Sequence, residues 1–421
     1  MNDHSSPNIE SRSPAQVGAI TLVGLGNIGS HLVQLLANLP GLTQVTLVDK
    51  DRYEPANLAT QRITRADVGG AKSAVQAAWL RLHNPSVQVT AVAADIAHVP
   101  AGYLRCSGLI IACLDSLASR VVVNQLAWRL GIPFLDAGVN PEAGLVRINA
   151  YQPIEEAACF ECPLCDEDYR SMGGRTPCEA SDRENPPTNA PAALGAMAAA
   201  LLGVECGKFF RGDVDAILFG RQFIVNVAQH TSYRTSFRRN PKCRFHHALW
   251  DIRSAPVLSP EITLGAALDL IQRHAGDHPR LGIEGRFFAS AWHCPKCGSV
   301  GRGGNFRLDG RIPNVAARCT VCRNSNALLV SGPNLVPWIH RDLPELVLGL
   351  SLADVGIVSG DIVTVMGEGQ SFQVEVLTQR VHRCDAKSIS EPTLSPGGLS
   401  AAAGVVIPIS SADPTIEKEH R

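Results

Sequence analysis

The first residues that could do chemistry sit in "VGLGNIGS", where Gly24, Gly26 and Gly29 form a G-x-G-x-x-G turn around Asn27, directly after an apolar run. Glycines are needed in such a turn because the backbone bends tightly, phosphates must approach it closely, and the following helix packs against the strand. Asp49 lies twenty residues beyond Gly29 at the end of the next apolar run, where a carboxylate can hold ribose hydroxyls. Asp51, Asn57, Gln61, Arg62 and Lys72 follow on one polar stretch. A nicotinamide cofactor needs no such series, whereas a triphosphate with magnesium does. The chain has seven lysines, so Lys72 at the start of a predicted helix is an informative position.

A second chemistry is written in cysteine. "CPKC" at Cys294 and Cys297 and "CTVC" at Cys319 and Cys322 form two knuckles separated by twenty-one residues. Four thiolates at this spacing form a closed tetrahedral zinc site. The chain has thirteen cysteines and a polar start, "MNDHSSPNIESRSPAQ", without the apolar segment of a signal peptide. Metal ligands and reactive thiols are therefore expected rather than disulfides, and a cytoplasmic location follows as an expectation. No run of some eighteen apolar residues is apparent, so no membrane partner is expected. A net charge of −1 makes nucleic acid an unexpected main partner.

These residues require elements to hold them. Short apolar runs, "AITLVGLG", "QVTLVD", "VQVTAVAA", "GLIIACLD" and "IPFLDAGV", alternate with helical patterns between residues 19 and 145. Such alternation predicts an α/β fold with a mainly parallel sheet covered on both faces. Residues 1–17 read as a disordered tail and 386–421 as a flexible one. Between them the pattern divides into a nucleotide-binding domain over 18–255, a helical connector over 256–290, a zinc ribbon over 291–330 and a small α+β module over 331–385.

The order of motifs resembles the family of ThiF, MoeB and the ubiquitin-activating enzymes. The glycine turn, Asp49 and Asp51, "NLATQ" at 57–61, "DVGGAK" ending at Lys72, and "CLDSLASRVVVNQLAW" with Asp115, Arg120 and Asn124 follow the family's pattern in sequence. The resemblance covers roughly 19–250 and implies a Rossmann-like adenylating domain. It also implies ATP with magnesium, and the C-terminal carboxylate of a ubiquitin-like or sulfur-carrier protein as the group activated. By position, Asp49 would hold ribose, Asp115 would bind magnesium, and Lys72 and Asn57 would face phosphates. "CFEC" at Cys159 and Cys162 resembles the family's metal knuckle, and "NPKCRFHH" resembles its second half. Cys243 and His246 would complete a zinc site, with Cys165 and His247 as competing ligands. Cys178 matches the family's loop cysteine, which in some members accepts the activated acyl group. A homodimer and a conjugating-enzyme-like partner are further implications of the resemblance.

Two departures bear on activity. The family's arginine in N-L-x-R-Q is Thr60 here, with Arg62 two positions later, and the N-terminal segment lacks the arginine-rich helix of MoeB-type members. If the loop is extended, Thr60 and Arg62 share a face and Arg62 could supply the displaced charge. An adenylating enzyme is the first expectation. A nucleotide-binding scaffold that docks a ubiquitin-like protein or a conjugating partner is the alternative.

Overall fold

The alternating apolar runs become, in the computed structural model, one side of an eight-stranded sheet. The structure describes residues 18–173, 190–294, 296–308, 321–322 and 335–378. Two compact units account for them, one from the described parts of 18–99 and 103–250, the other from 100–102 and 251–378.

In the first unit, β1 (Ala19–Val23), β2 (Gln44–Val48), β3 (Gln88–Val92), β4 (Leu109–Ala112) and β5 (Phe134–Asn140) pair in parallel in the order β3-β2-β1-β4-β5. β6 (Leu145–Tyr151), β7 (Arg221–Asn226) and β8 (Thr231–Ser236) extend the sheet antiparallel. β1 and β4 are buried at every residue, as strands covered on both faces must be. The sheet is thus mainly parallel, as the sequence predicts. Its order reverses between β1 and β4, and ligands of open α/β sheets bind beyond the carboxyl ends of the strands at such a switch.

Four helices matter for what lies there. α1 (Asn27–Leu36) buries Ile28, Leu32, Val33 and Leu36 along one stripe. α2 (Lys72–His83) starts at the lysine of interest. α3 (Leu117–Arg129) follows β4, and α4 (Asp166–Gly173) follows the first cysteine knuckle. α5 (Ala192–Arg211) is long and apolar enough to cross a membrane by length and composition alone. Its Leu194, Ala198, Leu202, Cys206 and Phe209 instead join the core shared with α1 and the sheet, and burial pushes the Cys206 thiol up to about 12.

The second unit contains a four-stranded sheet, in which β9 (Ile252–Leu258), β10 (Arg280–Gly282), β14 (Ile362–Gly367) and β15 (Gln370–Val376) lie in the order β10-β14-β15-β9. A three-stranded sheet of β11 (Phe288–His293), β12 (Val300–Leu308) and β13 (Leu335–Val336) accompanies it. The sequence separates connector, ribbon and module, whereas here Leu268 and Ile271 of α6 (Leu264–Ala275) share one core with Phe306, Val363 and Phe372. Each segment alone has too little apolar surface, and together they bury it.

Candidate functional site

Gly24 has φ +90°, and a Cβ there would strike the carbonyl of Cys113 at the end of β4. A Cβ on Gly29 would strike the Gly24 carbonyl in turn. Both glycines are therefore set by close backbone approach. Gly26 differs, since the nearest atom to its missing Cβ is Gln61 Nε2 at 3.9 Å. Gly26 caps α1 without a side-chain hydrogen bond, so no side chain accepts from the first N–H groups of the helix there. An anion is the natural partner for such a helix start.

Two buried polar atoms lie near the two ends of this turn's packing, Gln61 beside Gly26 and Asn27 against Gly195 of α5. Gln61 Oε1 and Asn27 Oδ1 are buried and have no hydrogen-bond partner among the described residues. An unpartnered buried oxygen costs about 1–3 kcal/mol, so Gln61 fits a site completed by a ligand, whereas Asn27 Oδ1 packs against Gly195 of α5. Asn27 is held in place because its Nδ2 donates to Ala190 O at 2.9 Å and Pro191 O at 3.3 Å.

Asp49 accepts from the backbone N–H of Leu25 at 2.6 Å and of Asp51 at 2.8 Å, which ties the end of β2 to the glycine turn. Burial pushes its carboxyl above the usual range, against the attraction of Lys72. Lys72 is buried at the start of α2, with Nζ 3.3 Å from Asp51 Oδ2. Tyr53, unremarked in the sequence, is fully buried between the two segments. Its hydroxyl donates to Leu25 O at 3.0 Å and accepts from Gln76 Nε2 at 2.8 Å. Only its aromatic, β-favouring character between the charged Arg52 and Glu54 could have marked it.

The loop before α2 corrects one expectation. Pro55–Ala59 is a 3₁₀ helix and Thr60 its C-cap, so Thr60 and Arg62 are not alternate residues of an extended segment. Asn57 closes this turn by accepting the Glu54 N–H at 2.9 Å. Arg62 is exposed, with Nε donating to Gln34 Oε1 at 3.1 Å. Gln34 lies seven residues along α1 from Asn27, about 10 Å at 1.5 Å per residue.

Asp115 is exposed on the loop between β4 and α3. Ser116, not Asp115, caps α3 by accepting the Ser119 N–H at 3.4 Å, which leaves the Asp115 carboxylate outside the cap. The loop is fixed from behind. Arg120 donates to Leu114 O with one terminal nitrogen and to Asp136 Oδ1 with the other. Asp136 is fully buried, which raises its carboxyl, and it also accepts from Asn149 Nδ2 at 3.0 Å. Arg120 thereby transmits the rigidity of β5 to the residue next to Asp115.

Cys159, Cys162, Cys243 and His247 bring their ligand atoms within 4.8 Å of one another. Cys159 Sγ lies 3.9 Å from both Cys162 Sγ and Cys243 Sγ, and Cys162 Sγ lies 3.4 Å from His247 Nε2. Sulfurs about 2.3 Å from one tetrahedral ion would stand roughly 3.8 Å apart, so this donor set fits zinc. The hydrogen-bonded contact with Cys159 holds Cys162 below the usual thiol range, toward the thiolate a metal requires. The predicted ligand His246 is corrected to His247. His247 takes φ +58°, which turns its ring inward onto Cys162, while His246 Nδ1 accepts from the Ala248 N–H outside the cluster. Cys165 is exposed at the start of α4 and stays outside as well.

In the second unit Cys294, Cys297 and Cys322 form a similar cluster, with 3.5 Å between Cys294 and Cys322 sulfurs. The knuckle is the β11–β12 turn, closed by Gly298 N donating to Cys294 O and Cys294 N to Ser299 O, each at 2.9 Å. Cys319 and Cys178 lie outside the described residues.

A family model for ThiF matches residues 15–247. The chain belongs to the ThiF family. Among curated relatives, an "Adenylyltransferase and sulfurtransferase UBA4" of Yarrowia lipolytica is 29% identical over 144 residues, covering 34% of this chain and 35% of that protein. A "NEDD8-activating enzyme E1 catalytic subunit" of Saccharomyces cerevisiae is 29% identical over 154 residues, covering 34% of this chain and 50% of that protein. The chain thus spans between about a third and a half of the length of these relatives. Escherichia coli MccB solved with ATP is 21% identical over 55% of this chain and 67% of its own, with a TM-score of 0.44. The ThiF match ends at residue 247, so it leaves residues 251–378 of the second unit outside the family region.

Proposed function

We propose that the chain binds ATP at the glycine turn and adenylates the C-terminal carboxylate of a ubiquitin-like or sulfur-carrier protein. The observation that carries this reading is the start of α1, which no side chain caps, beside Gln61, whose buried Oε1 has no partner among the described residues. The relatives' printed activities agree with it. In the reaction, a carboxylate oxygen of the donor protein forms a bond to the α-phosphorus of ATP, the bond to the β-phosphate breaks, and pyrophosphate leaves. Magnesium, when bound, supplies charge neutralisation on the departing pyrophosphate. Asp115 is the residue to hold it, presented by the loop that Arg120 pins. The N–H groups of α1 orient phosphate, Asp49 accepts ribose hydroxyls, and Lys72 adds positive charge near Asp49 and Asp51.

Zinc at the Cys159, Cys162, Cys243 and His247 cluster and at the Cys294, Cys297 and Cys322 cluster would be structural, since thiolate-rich closed sites leave no open position for chemistry. Cys178 is the residue proposed to take the acyl group from the adenylate, its thiolate displacing AMP to form a thioester.

A second reading, a nucleotide-binding scaffold, is favoured by Thr60 and by the attachment of Arg62 to Gln34. ATP-pyrophosphate exchange with a carboxylate-ended carrier protein separates the two. Adenylation predicts magnesium-dependent exchange by the wild-type chain and a thiol-sensitive adduct absent from Cys178→Ala. Tight ATP binding with no exchange would establish the scaffold instead.

A further inference from the structure

Glu161 lies inside the Cys159-Phe160-Glu161-Cys162 knuckle, where a charged residue is not needed for ligation, and it is 2% exposed. Its backbone N–H donates to Cys159 Sγ at 3.3 Å. Its carboxylate accepts from three side chains: Oε1 from Asn124 Nδ2 at 3.1 Å and Gln125 Nε2 at 3.0 Å, and Oε2 from the Tyr169 hydroxyl at 2.7 Å. Asn124 returns the contact, its Oδ1 accepting the Phe160 N–H at 3.0 Å. One turn further along α3, Trp128 Nε1 donates to His247 O at 2.8 Å and its ring meets the His247 ring edge-on.

These partners lie on two different elements. Asn124, Gln125 and Trp128 belong to α3, which begins directly after Asp115 and Ser116. Tyr169 belongs to α4, and α4 leads into residues 174–189, which include Cys178. Arg244, next to the ligand Cys243, braces α4 again by bonding Asp166 Oδ1 at 2.7 Å and lying 4.2 Å over the Tyr169 ring. A knuckle that served only to close its own loop would need none of these bonds.

We propose that Glu161 is a positioning residue that fixes α3 and α4 to the metal knuckle, so that the state of the cluster sets the placement of Asp115 and of the root of the Cys178 segment. Groups that hydrogen-bond to metal ligands orient them, and the same bonds run outward to whatever holds the other end. The carboxylate is suited to this because it is rigidly placed by its own backbone bond to sulfur and accepts three donors at once. The functional half of the proposal rests on the adenylation reading, and the structural half does not.

The test uses the full zinc-loaded chain, amide hydrogen exchange of residues 117–129 and 166–173, zinc content, and magnesium-ATP affinity. Glu161→Ala is expected to keep its zinc, to raise exchange in α3 and α4 by about tenfold or more, and to weaken magnesium-ATP binding. Glu161→Gln, whose amide oxygen still accepts from Asn124 and Gln125 and whose NH₂ can donate to the Tyr169 oxygen, is expected to restore all three. Tyr169→Phe is expected to raise exchange in α4 alone, with ATP affinity unchanged. Wild-type exchange in both helices of a zinc-retaining Glu161→Ala chain overturns the proposal. Should Glu161→Ala lose zinc or fail to fold, unchanged α4 exchange in Tyr169→Phe overturns it. Absence of ATP binding in the wild type would sink the adenylation reading while leaving the exchange result to judge the coupling.

Discussion

The two sides of the proposed nucleotide cradle are built on opposite principles. On one side, Gly24 and Gly29 are positioned by backbone against backbone, and the N–H groups of α1 are left for a ligand. On the other, the loop from Glu54 to Arg62 has its polar side chains already engaged: Asn57 closes a 3₁₀ turn and Arg62 bonds Gln34 of α1. The comparison separates a residue's presence in a motif from its availability. Gln61 is the exception on that loop, because its oxygen remains unpartnered.

The contrast can be broken most severely at Gly29. Gly29→Ala forces a methyl into the Gly24 carbonyl, an overpacking that costs about 1–3 kcal/mol and carries the phosphate turn with it. A lowered melting temperature together with loss of ATP binding is expected in calorimetry, and a wild-type thermogram would show that the turn can yield. Next is Asp115→Ala, which touches no cap and no buried pair. It should leave the melting temperature unchanged and lower magnesium-dependent exchange by about 10²-fold or more. Exchange at the wild-type level would remove Asp115 from the site. The smallest effect is expected at Arg62, where an exposed guanidinium is bonded some way down α1. Arg62→Ala should change exchange by no more than about twofold, matching the ±0.5 kcal/mol of ordinary surface changes. A tenfold fall would mean that the side chain leaves Gln34 and joins the phosphates during turnover.

Much of this site is legible in the sequence where one residue type implies one backbone geometry. Gly24 and Gly29 announce a close approach, and the Cys159-x-x-Cys162 spacing announces a knuckle. Legibility fails where neighbours compete for a direction. His246 and His247 are chemically identical, and only the left-handed backbone at His247 decides which ring reaches Cys162. Arg62 fails for a related reason, since proline at 55 and the capping contacts of Glu54 and Asn57 wind the loop instead of extending it. Glu161 carries no signal at all in one dimension. Its partners Asn124, Gln125 and Tyr169 come from both sides of it in the chain and meet only after α3 and α4 have packed. At the scale of the fold, periodicity reveals the parallel sheet, but it does not reveal that three short segments after residue 250 share one core.

The Asn27 side chain occupies the position that a Cβ on Gly195 would need. The first residue of the nucleotide helix and the fourth residue of α5 therefore cannot vary independently. Alanine at 195 is compatible only with a smaller residue at 27, and a smaller residue at 27 releases Ala190 and Pro191, where the chain re-emerges after the Cys178 segment. Substitutions at these two sites are thus expected to be epistatic, since alanine at 195 requires the Asn27 side chain to move away from its bonds to Ala190 and Pro191.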